Sequence, residues 1–470
     1  MNEIPTDQLN ARRLRQLIFG MVILLTFEGL ARKAAPTEFR VPLFFLKDFL
    51  TLAMAFYVFR MPMAPMIQSL WGGYMAMVVL LIPSILVTAW HDPLLAIFGA
   101  KQYLLYPIVG FAMFMAFENS GRAEIHAFFR WTALLILPTA LLAFIQARLP
   151  YDNWLNMSVN GESLKGFSAA DELRVSSTFS FVAQYCAFLN AQIFIILIAL
   201  QGWRKQSFNW RILGILFIPA IVLSCFITGS RGAVIGNMAI IFLAGMLVSM
   251  KAQVRNVFQI IAVAVVLYLA VLALHYLSPN STAAYSAREN GHLIGFSTEV
   301  RDRVVGSFLS LVQDKSLKTF LGNGLGVMSN GSDVLSSYAA SWRERLWTET
   351  DFSSTLFEGG YYLVIVWYGF RLFVVLTTLR HFLSDIDVEH SASIAFCQAF
   401  VTIIGTMGTL AFQPPIAIWW WLGVGTVMLY SWKCIEPPES EEKRDEAKLP
   451  PPVKKIRGRS LYAEVIHRRK

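Results

Sequence analysis

The sequence predicts an all-α fold, a polytopic membrane protein of about 12 transmembrane helices with one large extracytoplasmic loop subdomain. Three observations point there. Of 470 residues, 56% are hydrophobic and only 15% charged, with a mean hydropathy of +0.52, more apolar than a soluble core requires. The apolar residues fall into runs near the ~20 residues that one bilayer crossing needs. Basic residues gather in alternate gaps between those runs, as they do in cytoplasmic loops.

Taken in order, the chain opens on Arg12, Arg13 and Arg15 and a short apolar run. This has the outline of a signal peptide, yet no small-x-small cleavage pattern follows and Arg32 and Lys33 come next, so a retained first span is expected. Spans are expected at about 15–30, 43–59, 70–89, 103–118, 130–147, 179–200, 211–228, 232–250, 257–276, 355–379, 392–411 and 416–433. With the N-terminus inside, the cytoplasmic loops carry Arg60, Arg122, Arg130, Arg204, Lys205, Arg211, Lys251, Arg255 and Arg380, and an even count returns the C-terminus to the cytoplasm. The expected organisation is helices 1–9 over 1–276, an outer loop subdomain over 277–354, helices 10–12 over 355–435, and a cytoplasmic tail over 436–470. That tail combines Pro437, Pro438, Pro450, Pro451 and Pro452 with mixed charge, a composition that does not fold alone.

The apolar run from about Ile212 to about Met250 is too long for one crossing and is broken by Thr228-Gly229-Ser230-Arg231-Gly232. Two paired helices with a tight glycine turn follow, and the turn falls on the outer side. An arginine at the end of a span needs water or an anion, which marks Arg231, with Ser230 and Gly232, as candidate anion ligands. Further arginines break the inside-positive trend: Arg174 before the sixth span, and Arg301, Arg303, Arg343 and Arg345 in the long loop. Glu28, Arg32, Lys33, Lys47 and Asp48 place charges of both signs around the first two spans and read as internal ion pairs that fix helix packing, with Arg32 also a possible anion ligand.

The net charge of +9 is accounted for by loops that orient the chain, so no nucleic-acid partner is expected. Cys186, Cys225, Cys397 and Cys434 show neither disulfide nor zinc spacing. No metal and no cofactor is expected. The turn Leu321-Gly322-Asn323-Gly324-Leu325-Gly326 lacks the strand-turn-helix setting of a nucleotide site.

The Thr-Gly-Ser-Arg-Gly turn between paired helices, the long outer loop, the Leu-Gly-Asn-Gly-Leu-Gly turn, and Glu349 to Gly360 leading back into a span together resemble the O-antigen ligase and polymerase superfamily. Glu28-Gly29-Leu30-Ala31-Arg32-Lys33 and the later Lys47-Asp48 are similar to an exopolysaccharide polymerase-like branch of it. The resemblance implies a glycosyltransferase of the bacterial inner membrane that uses a polyprenyl-diphosphate-linked oligosaccharide on the periplasmic face. It implies a glycan acceptor, the lipid bilayer, and other polysaccharide assembly and export proteins as partners. By position Arg231 matches the family's turn arginine and Arg301 or Arg303 its loop arginine. Where family ligases carry a histidine this chain has Glu349, with Asp351 two residues on, which weights the reading towards a polymerase over a ligase to lipid A core. On that reading the arginines clamp the departing diphosphate without a metal, and Glu349 is the base with Asp351 as alternate or orienting partner. A flippase or transporter for the same glycans is the competing class, and no internal repeat supports it.

Overall fold

The computed structural model describes residues 6–162, 174–201, 206–250, 320–329, 331–343, 350–386 and 391–435. Among the described residues there is no β-strand, and the helices are α1 (Thr6–Ala34), α2 (Thr37–Val58), α3 (Pro65–His91), α4 (Pro93–Leu104), α5 (Pro107–Phe117), α6 (Arg122–Leu134), α7 (Ile136–Gln146), α8 (Val182–Ala199), α9 (Phe208–Ile227), α10 (Arg231–Met250), α11 (Ser332–Leu335), α12 (Ser337–Arg343), α13 (Asp351–Asp385), α14 (Ser391–Met407) and α15 (Pro414–Ile435).

Among the described residues, eight helical segments are long and apolar enough to cross a bilayer, or nine if the bent pair α4 and α5 forms one span. That is a multi-pass membrane protein, with fewer such segments than the expected twelve. The span expected at about 257–276 lies outside the described residues, and Ala392–Met407 is a shorter apolar helix. Helix α15 has ample length, but its prolines and tryptophans lower its hydropathy. It is nevertheless the core of the bundle, buried without a break from Pro414 to Ser431 and packed against α5, α8, α13 and α14. Of the loop expected over 277–354, only parts from residue 320 onward are described.

Proline sets several helix starts, because its missing N–H costs nothing in the first turn. Pro65, Pro93, Pro107 and Pro414 all stand there. Pro107 also interrupts the hydrogen-bond ladder after α4, since it has no N–H to donate, and although Leu105 and Tyr106 keep helical φ and ψ the two helices meet at 43°. Asp92 caps α4 by accepting hydrogen bonds from the Leu94 and Leu95 N–H groups.

Helix α13 is two helices joined at Gly360, whose φ of 62° and ψ of −162° suit glycine alone. Its first arm, Asp351–Gly359, folds back against the second, so that Phe352 packs edge-on to Tyr368 and Asp351 meets Arg371. The glycine-rich turn seats on this bend. Asn323 and Gly324 N–H groups donate to the Phe357 and Glu358 carbonyls at 3.0 and 2.8 Å. A Cβ on Gly322, whose φ is +68°, would stand 2.5 Å from Glu358 O, Gly359 N and Gly360 N. The glycines therefore serve a close backbone approach.

Candidate anion site

The segment Arg174–Ser180 is an irregular strap buried between helices. Such backbone survives among membrane helices only if its polar groups find partners. Leu30 N–H on α1 donates to Thr178 O at 2.7 Å, Gln146 Nε2 donates to Ser177 O at 3.2 Å, and Ser177 Oγ donates to Thr139 O at 2.7 Å. Ser177 takes a φ of 53°, among the described residues the one positive φ outside glycine. Gly29 makes the close approach possible, for a Cβ there would lie 2.1 Å from Phe179 C and Ser180 N.

The strap brings distant candidates together. On its α1 side, Lys33 Nζ donates to Ser176 Oγ at 3.4 Å and to Leu155 O at 2.8 Å, and Arg32 Nη1 lies 3.4 Å from Ser180 Oγ. On its other side the strap leads into α8, which carries Cys186 and packs against α10, where a Cβ on Gly236 would stand 2.7 Å from Asn190 Nδ2. The turn at Thr228–Gly232 therefore leads into a helix packed on the one that follows the strap. Within that turn Gly229 takes the left-handed conformation with a φ of 57°, and Thr228 Oγ1 accepts from Ser230 N–H at 3.2 Å. Arg231 is the first residue of α10, and its side chain lies outside the described residues. Gly232 is exposed, and only Ser230 Oγ, at 3.6 Å, would meet a Cβ placed on it, so Gly229 is the residue that makes the turn.

Charges on α1 and α2 continue inward from the strap. Lys47 is fully buried and lies 3.3 and 3.4 Å from the two Glu28 oxygens, with its ammonium also on Phe44 O and 3.7 Å from the Phe44 ring centroid. Arg32 Nη1 lies 3.4 Å from Glu28 Oε1. Asp48 is held more tightly, accepting from Lys101 Nζ and the Tyr106 hydroxyl at 2.7 Å each. These are the internal ion pairs expected between the first two spans, extended to α4 and the α4–α5 break.

Asp351 stands in a different cluster. Its Oδ2 meets Arg371 Nη1 at 2.5 Å and accepts from the Tyr368 hydroxyl at 3.2 Å. Arg371 also donates to Gly405 O, Gly408 O and Ile404 O at 2.7, 2.9 and 3.4 Å, capping the carbonyl end of α14. Glu358, two turns along the same arm, is fully buried and accepts from Met328 N–H at 2.8 Å and the Tyr103 hydroxyl at 3.1 Å. Glu349, Arg301, Arg303 and Arg345 lie outside the described residues, as does the side chain of Arg343.

Sequence reading passed over Arg371, Glu358, Lys101, Tyr103 and Tyr106. Arg371 carried a usable signal, an arginine well inside an apolar run. Lys101 and the tyrosines carried none, because their partners lie on other helices.

Comparison of the chain with protein-family models and with curated proteins finds no match.

Proposed function

We propose that this protein is a membrane glycosyltransferase that extends glycans from a polyprenyl-diphosphate-linked donor, a polysaccharide polymerase of the bacterial inner membrane with its site on the periplasmic face. One observation carries the reading: α10, which begins at Arg231, packs against α8, which the strap from Arg174 leads into, so two arginine-bearing segments 56 residues apart from Arg174 to Ser230 adjoin the same helix pair. Paired guanidinium groups suit a diphosphate, since each forks onto phosphate oxygens and keeps its charge at the membrane boundary.

In the reaction an acceptor hydroxyl oxygen bonds to the anomeric carbon while the bond from that carbon to the phosphate oxygen breaks. The electron pair leaves on the diphosphate. Arg174 and Arg231, with Arg301 or Arg303, stabilise that charge as it grows. The hydroxyl proton passes to Glu349. Asp351, whose Oδ2 is held by Arg371 and Tyr368, serves as orienting partner at the start of α13 or as the alternate base.

Reconstitution with a polyprenyl diphosphate oligosaccharide tests this directly. Longer glycans and free polyprenyl diphosphate are expected, with Arg174→Ala and Arg231→Ala each slower by roughly 10²–10³-fold. Wild-type rates in both variants would sink the arginine clamp. A transporter is the second reading, favoured by the 43° break between α4 and α5 beside buried charge. It predicts donor that changes leaflet with no growth of chains.

A further inference from the structure

The ion pairs of α1, α2 and α4 do not balance. Among the described residues, Arg32, Lys33, Lys47 and Lys101 supply four cations to two carboxylates, Glu28 and Asp48, an excess of two. Asp48 is fully engaged by Lys101 and Tyr106. Glu28 is shared by Lys47 and Arg32, both at 3.3–3.4 Å, longer than a well-made charged hydrogen bond. Among the described residues Lys33 faces no carboxylate and has Leu155 O and Ser176 Oγ as its partners. Uncompensated cations among membrane helices are costly, and a network built only to fix packing gains nothing from carrying two of them.

The excess lies on the strap side. Arg32 retains 17% of its side-chain exposure, and its Nη2 has no hydrogen-bond partner among the described residues, its Nε and Nη1 being the atoms engaged. Ser176 and Ser180 add hydroxyls beside Lys33 and Arg32. Arg40, on the first turns of α2, adds a further positive charge next to Arg32. Guanidinium, ammonium and two hydroxyls converging on a partly open edge suit a phosphoryl oxygen set.

We infer that Arg32, Lys33, Ser176 and Ser180 form a binding site for a phosphoryl anion on a lipid, either a polyprenyl phosphate or a phospholipid headgroup, with Glu28 occupying its cations when the site is empty. The inference concerns binding and stands whether or not the protein transfers glycans. It assigns opposite effects to neighbouring residues: losing Arg32 or Lys33 weakens the ligand, and losing the competing charge of Glu28 strengthens it.

The test uses the full chain in phosphatidylcholine nanodiscs, titrated in one arm with polyprenyl phosphate and in another with phosphatidylglycerol, with binding read by native mass spectrometry. Arg32→Gln and Lys33→Met orphan no carboxylate, because Glu28 keeps Lys47, so both are expected to fold. Each should weaken binding by roughly tenfold, and Glu28→Gln should strengthen it. This pattern in the first arm assigns a lipid-linked substrate, and in the second a headgroup. Binding that is absent from both arms, or unchanged in Arg32→Gln and Lys33→Met, overturns the proposal. Equal weakening by Glu28→Gln and Arg32→Gln also overturns it, since the cluster is then a structural ion-pair network only.

Discussion

Two buried charge clusters flank α4, and they are built to opposite rules. At the bend of α13, Arg371 is matched by Asp351 and three carbonyls of the α14 end, with contacts as short as 2.5 and 2.7 Å. On α1 and α2, Glu28 is stretched between two cations at 3.3–3.4 Å and Lys33 has no carboxylate partner among the described residues. A saturated pair acts as a joint that holds one geometry. An unsaturated cluster leaves charge available to something outside the protein. Burial alone does not distinguish them, since Lys33 and Arg371 are both buried; the matching of cation to carboxylate does.

Breaking the saturated joint should therefore have the largest effect. Arg371→Met leaves Asp351 charged and buried, with Tyr368 as its remaining side-chain partner among the described residues, and frees the α14 carbonyls. A loss of about 3–5 kcal/mol is expected, read as a large drop in the unfolding temperature of the detergent-purified protein. Adding Asp351→Asn should recover most of it, because no buried charge then lacks a partner. If the single variant unfolds like wild type, the saturated cluster is not a joint.

The seat of the glycine-rich turn should be next. Gly322→Ala forces a left-handed residue and drives a Cβ to 2.5 Å from three backbone atoms of the bend, a cost of about 1–3 kcal/mol from the conformation alone. Gly161, with φ of +84°, has nothing within 4 Å. Gly161→Ala thus carries the conformational cost without the clash, and the difference between the two unfolding temperatures isolates how tightly the turn is gripped.

On the unsaturated side the same kind of change should do little. Lys33→Met removes a buried cation that orphans no anion, and Leu155 O keeps Gln146 Nε2 at 2.9 Å. A stability change within about 1 kcal/mol is expected. A loss as large as that of Arg371→Met would erase the distinction between the clusters.

How much of this was legible follows from which interactions are local. Helix class and most helix positions came from runs of apolar residues, and the Thr228–Gly232 turn from glycines inside one such run. Glu28, Arg32, Lys47 and Asp48 were readable as ion pairs because opposite charges stood on consecutive spans. Lys101 was not, since 53 residues separate it from Asp48. The bend of α13 was hidden because Gly359-Gly360 sits at the start of an apolar run, where a glycine pair reads as a span edge. The strap was hidden too: its order rests on Gly29, Thr139 and Gln146, each on another helix.

The smallest effect concerns α4, which carries Lys101 towards one cluster and Tyr103 towards the other. Its N-cap, Asp92, is held below the usual carboxylate range by hydrogen bonds from Ser336 and from the Leu95 and Leu94 N–H groups. A carboxyl whose folded pKa is depressed adds stability above its unfolded pKa, and that stability fades as pH falls through the folded value. Asp92→Ala should cost about 1 kcal/mol at neutral pH. On acidification below the ordinary carboxylate range wild type should approach the variant, and the gap between their unfolding temperatures should close. A gap that stays constant down that range would mean that the Asp92 charge contributes nothing to fixing α4. A gap that closes, with Lys101 and Tyr103 both set by α4, would tie the two clusters to one helix start.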